Sequence, residues 1–261
     1  MTYKPPRRPQ FFYTTAPLPC PYVSGRTERK MVTEITGPDA DAVHDRLSRA
    51  GFRRSHNIAY APVCPACKAC VPIRIPVGTF EPNRTQRKVF RANAGVTGTE
   101  RPARATAEQF QLFGRYQKAR HSDGDMATMS FYDFRAMVED TPITTRVVEF
   151  RDEADRLVGA CLVDRLGDGL SAVYSFFLPE LEHRSLGTHA ILWLISRAAA
   201  DGLGYVYLGY WVPDSRKMAY KARFRPSEIL AGGRWRTLTD ADLAPAADPA
   251  RHAPVLMSES A

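Results

Sequence analysis

The stretch from Thr144 to Tyr210 constrains the fold more than any other part of the chain. TTRVVEF, RLVGACLVDRL and GLSAVYSFFLP are three runs rich in branched and aromatic residues, separated by the turn signals DEAD and GDG. Such runs, bounded by turn residues, form strands. A long helix follows, GTHAILWLISRAAADG, and then one further strand, YVYLGY. Three strands of antiparallel type, a helix and a returning strand predict an α+β chain.

The same order suggests an acetyltransferase-like (GNAT-type) fold, the kind used by N-acyltransferases that take acetyl-CoA. The turn into the helix, EHRSLGTHA, echoes an R-x-x-G-x-G/A pyrophosphate loop through Arg184 and Gly187. Backbone N–H groups at a helix start hold anions. His189 stands where that pattern has Gly or Ala, and a helix cap with Gly187 kept small for packing explains the residues equally well.

Upstream, VCPACKAC places Cys64, Cys67 and Cys70 at even gaps in a chain of five cysteines. Thiolates two residues apart converge on one ion, as zinc or an iron–sulfur cluster requires. Cys20, in the Pro-stiffened PLPCPY, is the natural fourth ligand. Spacing does not separate zinc from iron–sulfur, and three reduced thiols without metal are the plain alternative. Cys161 lies in an apolar strand and reads as core. No carboxylate or histidine near the run suits open-site catalysis, so the expected role is structural or redox-regulatory.

The remaining pattern gives the organisation. KMVTEI reads as a strand, GPDADAVHDRLSRAG as a helix, and SHNIAYAPVC and CVPIRIPVGTF as strands flanking the cysteines. NRTQRKVFRANAG is a basic helix. TAEQFQLFGRYQKARH opens with a capping box, Thr106 and Gln109, and SFYDFRAMVED is a shorter helix. A last basic helix covers RKMAYKARFRP, with SEILAGGRW after it. The texture changes between Val96 and Ala105. The expected units are a smaller cysteine-bearing α+β domain at 1–95, the GNAT-like domain at 96–242 and a disordered Ala/Pro-rich tail at 243–261. Residues 1–19 are expected to be irregular.

Charge and length narrow the classes. The chain has 261 residues, a formal charge of +8 and 44% hydrophobic residues. No segment approaches the roughly 20 apolar residues of a membrane span, and the N-terminus lacks a secretory apolar core. The expectation is a cytoplasmic protein with no membrane partner. Basic residues among aromatics, in NRTQRKVFRANAG and RKMAYKARFRP, suit phosphates and unstacked bases. A solvated arginine-rich surface is the plain reading of the same residues. No Ser–His–Asp or metal-hydrolase pattern is present.

PCPYVSGRTERK, YAPVCPACKACVPIRIPV, RYQKARHSDGDM, YSFFLPELEHRSLGTHAILW and YLGYWVPDSRKMAYKARFRPSE, in this order from about Phe12 to Trp235, resemble the arginyltransferase family of aminoacyl-tRNA–protein transferases. The resemblance is to its bacterial branch, the aspartate/glutamate leucyltransferases. It implies movement of leucine, or less expectedly arginine, from charged tRNA onto the N-terminal amine of proteins starting with Asp or Glu, which makes an N-degron. The partners would be charged tRNA and those acceptor proteins. Family members have been linked to zinc or iron–sulfur binding through N-terminal cysteines. This chain has one cysteine in CPYV where eukaryotic relatives have a pair.

Given that resemblance, Tyr207, Gly209 and Tyr210 are expected at the acyl group, because the strand end is where this fold opens its cleft. The family's Y-K pair is matched by Tyr220 and Lys221, which with Lys217 and Arg223 are expected on tRNA. An acidic acceptor asks for a planar bidentate cation, with Arg74 and Arg120, beside His121, as candidates. The activated ester needs orientation and oxyanion stabilisation rather than a triad, so no cofactor is expected for transfer. A CoA-dependent N-acetyltransferase and a non-enzymatic RNA-binding module are the competing readings.

Overall fold

Leu157–Arg165 is a nearly unbroken apolar run, and eight of its nine residues are buried. A strand buried on both faces sits inside a sheet covered on both sides. The computed structural model describes residues 9–65, 67–122 and 124–243. Its elements are β1 (Tyr13–Thr14), β2 (Leu18–Pro19), β3 (Thr27–Glu28), β4 (Lys30–Glu34), α1 (Ala40–Arg49), β5 (Arg53–Ser55), β6 (Ile58–Pro62), β7 (Val71–Pro76), α2 (Arg84–Ala92) and β8 (Thr97–Pro102). There follow α3 (Ala107–Arg120), α4 (Phe131–Glu139), β9 (Thr145–Arg151), β10 (Leu157–Arg165), β11 (Gly169–Phe177), α5 (Leu186–Ala200), β12 (Tyr205–Trp211), β13 (Glu228–Ala231), β14 (Arg234–Thr237) and α6 (Asp240–Leu243).

The large sheet has the order β14-β13-β7-β12-β11-β10-β9-β8, and β1-β4-β6-β5 form a smaller one. Neighbours in the large sheet run antiparallel except β11 and β12, which are parallel and joined through α5. This is an α+β architecture with the strand, helix and returning strand in the order expected from the sequence. Local chemistry starts three of the helices: Asn83 with Gln86, Thr106 with Gln109 and Ser130 with Asp133 form capping boxes at α2, α3 and α4.

Several expectations change. The stretch between Val96 and Ala105, read as a boundary, contains β8, paired along β9 at the edge of the large sheet. Its alternating, largely exposed residues, TGTERP, are those of an edge strand rather than a linker. β7, from the expected 1–95 unit, lies between β12 and β13, so that segment supplies a strand of the main sheet. Short strands β1 and β2 occupy part of the stretch read as irregular. The last basic helix reduces to a 3-10 turn at Ala219–Arg223. The expected tail lies outside the described residues from 244 onward.

A buried ionic group ties the two sheets together. Arg54 of β5 donates Nε and Nη2 to the Asp164 carboxylate of β10, both at 2.7 Å. Thr145 Oγ1 donates to the same carboxylate at 2.8 Å, and His44 Nε2 of α1 lies 3.3 Å from it. Burial pushes the Asp164 carboxyl up, but the hydrogen bonds from His44 and Arg54 outweigh it and hold the group at about 2.

Candidate active site

β11 and β12 pair only from Gly169 with Tyr205 to Ser171 with Tyr207. Beyond that the two strands lose their ladder, and a cavity of about 550 Å³ is lined by Ala172, Val173, Tyr174 and Ser175 from β11 and by Leu208 and Tyr210 from β12. Arg53 fills the gap between the strands. Its Nη2 donates to the carbonyls of Ala172 and Val173 at 3.1 and 2.8 Å. Gly209 has φ +76°, and a β-carbon there would overlap the Arg53 guanidinium. The glycine therefore serves both the left-handed backbone of the β12 bulge and the close approach of an arginine.

The helix α3 delivers a second wall. Tyr116, Gln117 and His121 line the cavity from its last turns. Gln117 is 1% exposed, and its Nε2 donates to the Tyr174 hydroxyl at 2.6 Å. The other end of the amide, Oε1, has no partner. A buried orphan acceptor costs about 1–3 kcal/mol, which a bound N–H donor removes. Burial, then Lys217 and Arg120, hold His121 below the usual imidazole range.

The third wall is the 3-10 turn. Tyr220 and Lys221 line the cavity, with Lys217 nearby on the same lining. Lys221 is 6% exposed, and its Nζ donates to the Tyr210 carbonyl at 2.8 Å. Burial first, then the charge of Arg53, push its pKa well below that of a free lysine. Burial also lifts the Tyr220 hydroxyl to about 12. The described lining holds Arg53, His121, Lys217 and Lys221 but no Asp or Glu, and its floor includes Leu162, Ile191, Leu194 and Leu208.

A family model described as the N terminus of arginine-tRNA-protein transferase matches residues 18–88, and one described as its C terminus matches residues 108–231.

The chain belongs to the arginine-tRNA-protein transferase family.

This transferase is 66% identical to a protein named aspartate/glutamate leucyltransferase from Gluconacetobacter diazotrophicus, across 91% of this chain and 92% of the relative. It is 65% identical to one of the same name from Granulibacter bethesdensis, across 92% and 90%. Among solved structures it is similar to L-PGS from Bacillus licheniformis, with TM-score 0.47 and 11% identity over 66% of this chain and 59% of that one.

The transferase brings together only part of the residue set expected from sequence. Tyr210, His121, Lys217, Tyr220 and Lys221 share the cavity lining. Tyr210 is committed to structure: its hydroxyl donates to the carbonyls of Gly51 and Tyr60. Tyr207, expected at the acyl group, lies outside, where its hydroxyl accepts from Arg74 and donates to Asp168. Arg74 is buried against Glu228 at 2.7 Å, with its guanidinium 3.6 Å from the Tyr205 ring centre. A guanidinium so fully engaged has no face for an acceptor. Arg120 pairs with Glu182 at 2.7 Å outside the lining. Arg223 is exposed, and Lys221 is buried rather than displayed on a helix face.

Sequence reading missed Arg53 and Gln117. Gln117 carried a signal, since it is a polar residue four positions after Phe113 on the inward face of α3. Arg53 carried none, because only the fold sets it across Gly209.

The loop at Arg184 is engaged by packing. Arg184 Nη2 donates to the Ala92 carbonyl at 3.0 Å, and Asn93 donates to the Arg184 carbonyl at 2.8 Å. A β-carbon on Gly187 would press on the Phe177 ring at 3.1 Å. His189 is enclosed between the Phe90 and Phe150 rings, and burial lowers it to about 4. The packing explanation of this loop fits; the end of α2 occupies Arg184, which the pyrophosphate reading needs free.

Cys20, Cys64, Cys67 and Cys70 do meet, around a cavity of about 40 Å³ that adjoins the large one through Tyr22, Tyr60 and Tyr210. Four thiols are an apt donor set for zinc or an iron–sulfur cluster. Among the described residues no group of three or more His, Cys, Asp or Glu is placed to hold an ion. The Cys64 sulfur accepts from the Arg29 N–H at 3.4 Å, and burial with the neighbouring thiols lifts Cys70 to about 12. No helix among the described residues is long and apolar enough to cross a membrane.

Proposed function

We propose that this chain transfers leucine from charged tRNA to the N-terminal amine of proteins beginning with Asp or Glu, in the cytoplasm where both substrates reside, and that transfer needs no cofactor. The observation that carries the reading is the large cavity: apolar at its floor, cationic at its walls and without a carboxylate among its described lining. A leucyl side chain is matched by Leu162, Ile191, Leu194 and Leu208, whereas an arginyl side chain would be buried there without a counter-charge.

In this reading the acceptor amine attacks the ester carbonyl of the aminoacyl-tRNA. A C–N bond forms, the C–O bond to the terminal ribose breaks, and the amine proton ends on the ribose oxygen. Lys221, shifted by burial toward its neutral form, takes that proton and returns it to the leaving oxygen. Gln117 Oε1 accepts an N–H of the attacking amine. The Tyr220 hydroxyl, which has no protein hydrogen-bond partner among the described residues, is available to the developing oxyanion. Arg53 keeps Nε and Nη1 free of protein acceptors, and one of these N–H groups meets the acidic side chain of the acceptor.

The test is transfer of radiolabelled leucine or arginine from the respective charged tRNAs to peptides starting with Asp, Glu or Ala. Leucine incorporation into the Asp and Glu peptides is expected. Arginine incorporation at equal or greater rate, or indifference to the first residue, would sink the reading. Acetylation of the peptides from acetyl-CoA would favour the acetyltransferase instead.

A further inference from the structure

The strongest unassigned feature is the outer face of α2. Arg84, Arg87, Lys88 and Arg91 follow one another at helical spacing and are all exposed. Arg84 with Lys88 and Arg87 with Arg91 are like-charge pairs four residues apart, which destabilise a helix. The first turn holds no acidic residue and instead carries Arg84, where the helix dipole favours an anion. None of the four cations makes an ion pair among the described residues. Three exposed arginines elsewhere are matched, Arg101 to Glu149, Arg135 to Glu139 and Arg156 to Asp152; Arg46, Arg104 and Arg234 are exposed without an ion pair among the described residues but stand singly rather than in a row.

The helix is also fixed in place. At its start Gln86 Nε2 donates to the Arg223 carbonyl at 3.1 Å, which joins α2 to the turn carrying Tyr220 and Lys221. At its end Asn93 Nδ2 donates to the Arg184 carbonyl and Arg184 Nη2 donates to the Ala92 carbonyl, which joins α2 to the entry of α5. A row of unpaired cations about 10 Å long thus begins beside exposed Arg223 and the cavity turn and runs away from them.

We propose that this face of α2 docks the phosphate backbone of the base-paired acceptor arm of tRNA, leaving the 3′ end to enter the cavity past the 219–223 turn. The inference rests on the proposed function and adds the surface that receives the tRNA. Charge complementarity selects the partner. Guanidinium groups grip phosphates bidentately, and a duplex supplies a continuous run of them without a demand for sequence.

The test compares wild type with the triple variant Arg84→Ala, Lys88→Ala, Arg91→Ala. These three side chains make no hydrogen bond to the protein among the described residues, and alanine keeps the helix. The control is Arg101→Ala, Arg135→Ala, Arg156→Ala, which removes the same charge from matched positions. Binding of intact leucine-accepting tRNA is measured across a salt series, with thermal unfolding as the check on folding. The α2 variant should bind about tenfold or more weakly near 0.1 M salt, with a log–log salt slope shallower by roughly two units for three lost phosphate contacts. Its turnover at saturating charged tRNA should stay near wild type while KM for tRNA rises. A line superimposable on wild type, or an equal loss in the control variant, overturns the docking surface and leaves the transfer reading standing. Wild-type protein that binds no tRNA overturns both.

Discussion

Gly209 and Arg53 occupy one space: the missing side chain of the first is where the guanidinium of the second lies. They are brought together by β12 and β5, which belong to different sheets. Through this contact the smaller sheet places a cation between the parting strands of the larger one.

Gly209→Ala should therefore act twice. The left-handed backbone penalises a β-carbon by about 1–2 kcal/mol, and the methyl group displaces Arg53. Unfolding in urea should show a lowered midpoint, and the peptide assay should show weakened preference for Asp and Glu over Ala. Arg53→Lys should keep the fold and lose most of the preference, because an ammonium cannot reach both the strand carbonyls and the acceptor as the planar guanidinium does. Full preference in both variants would remove Arg53 from acceptor recognition.

Lys221→Met retains the stem without the amine. If Lys221 carries the proton, kcat should fall by about 10²–10⁴-fold, while tRNA affinity and its salt slope stay as in wild type. The sign with pH follows from the lowered pKa of Lys221. The neutral amine accumulates as pH rises through that value, so wild-type kcat should climb with pH there and the variant should lack the limb. The same depression means that the folded protein binds fewer protons than the unfolded chain between the two pKa values, so this residue lowers stability as pH falls through that interval. An unchanged pH profile in the variant would assign Lys221 a structural role alone.

Gln117→Leu removes the orphan acceptor and its bond to Tyr174. Stability should change little or rise, since an unsatisfied buried group is lost. KM for the acceptor peptide should increase several-fold, with tRNA binding preserved. A fall in stability with normal KM would mean that the amide supports Tyr174 rather than the substrate.

Asp164→Asn breaks a fully buried ionic group by removing one partner's charge. A loss of about 3–5 kcal/mol is expected, read by denaturant unfolding. In wild type the carboxyl is held at about 2, below its ordinary value of 3.8. The stability it contributes is present above about pH 4 and is lost as pH falls toward 2, roughly 2 kcal/mol in all. Acid unfolding of the variant should lack this component.

Much of the scaffold was legible because it rests on neighbours in sequence. The capping box of Thr106 and Gln109 starts α3 where the pattern placed it, and the strand–helix–strand order from Thr144 to Tyr210 appears as β9, β10, β11, α5 and β12. Cys64, Cys67 and Cys70 line one small cavity, as their close spacing allows. These features follow from backbone preference and side-chain period, which operate over a few residues.

The site was decided by pairing between distant segments. Arg53 and Arg74 are both arginines on short strands, yet 119 residues separate Arg53 from Ala172, whose carbonyl it meets, and 154 separate Arg74 from Glu228, which takes it out of reach of substrate. Local pattern says that each will point from a strand; it does not say which sheet face, partner or cavity will meet it. Lys221 makes the same point. Sequence marks it as one basic residue among several, and only burial beneath the 219–223 turn, with the Tyr210 carbonyl as partner, turns a solvated cation into a lysine held toward its neutral form. Desolvation is a property of the whole packed neighbourhood, and it came into being only when β11, β12, α3 and the smaller sheet closed around one cavity.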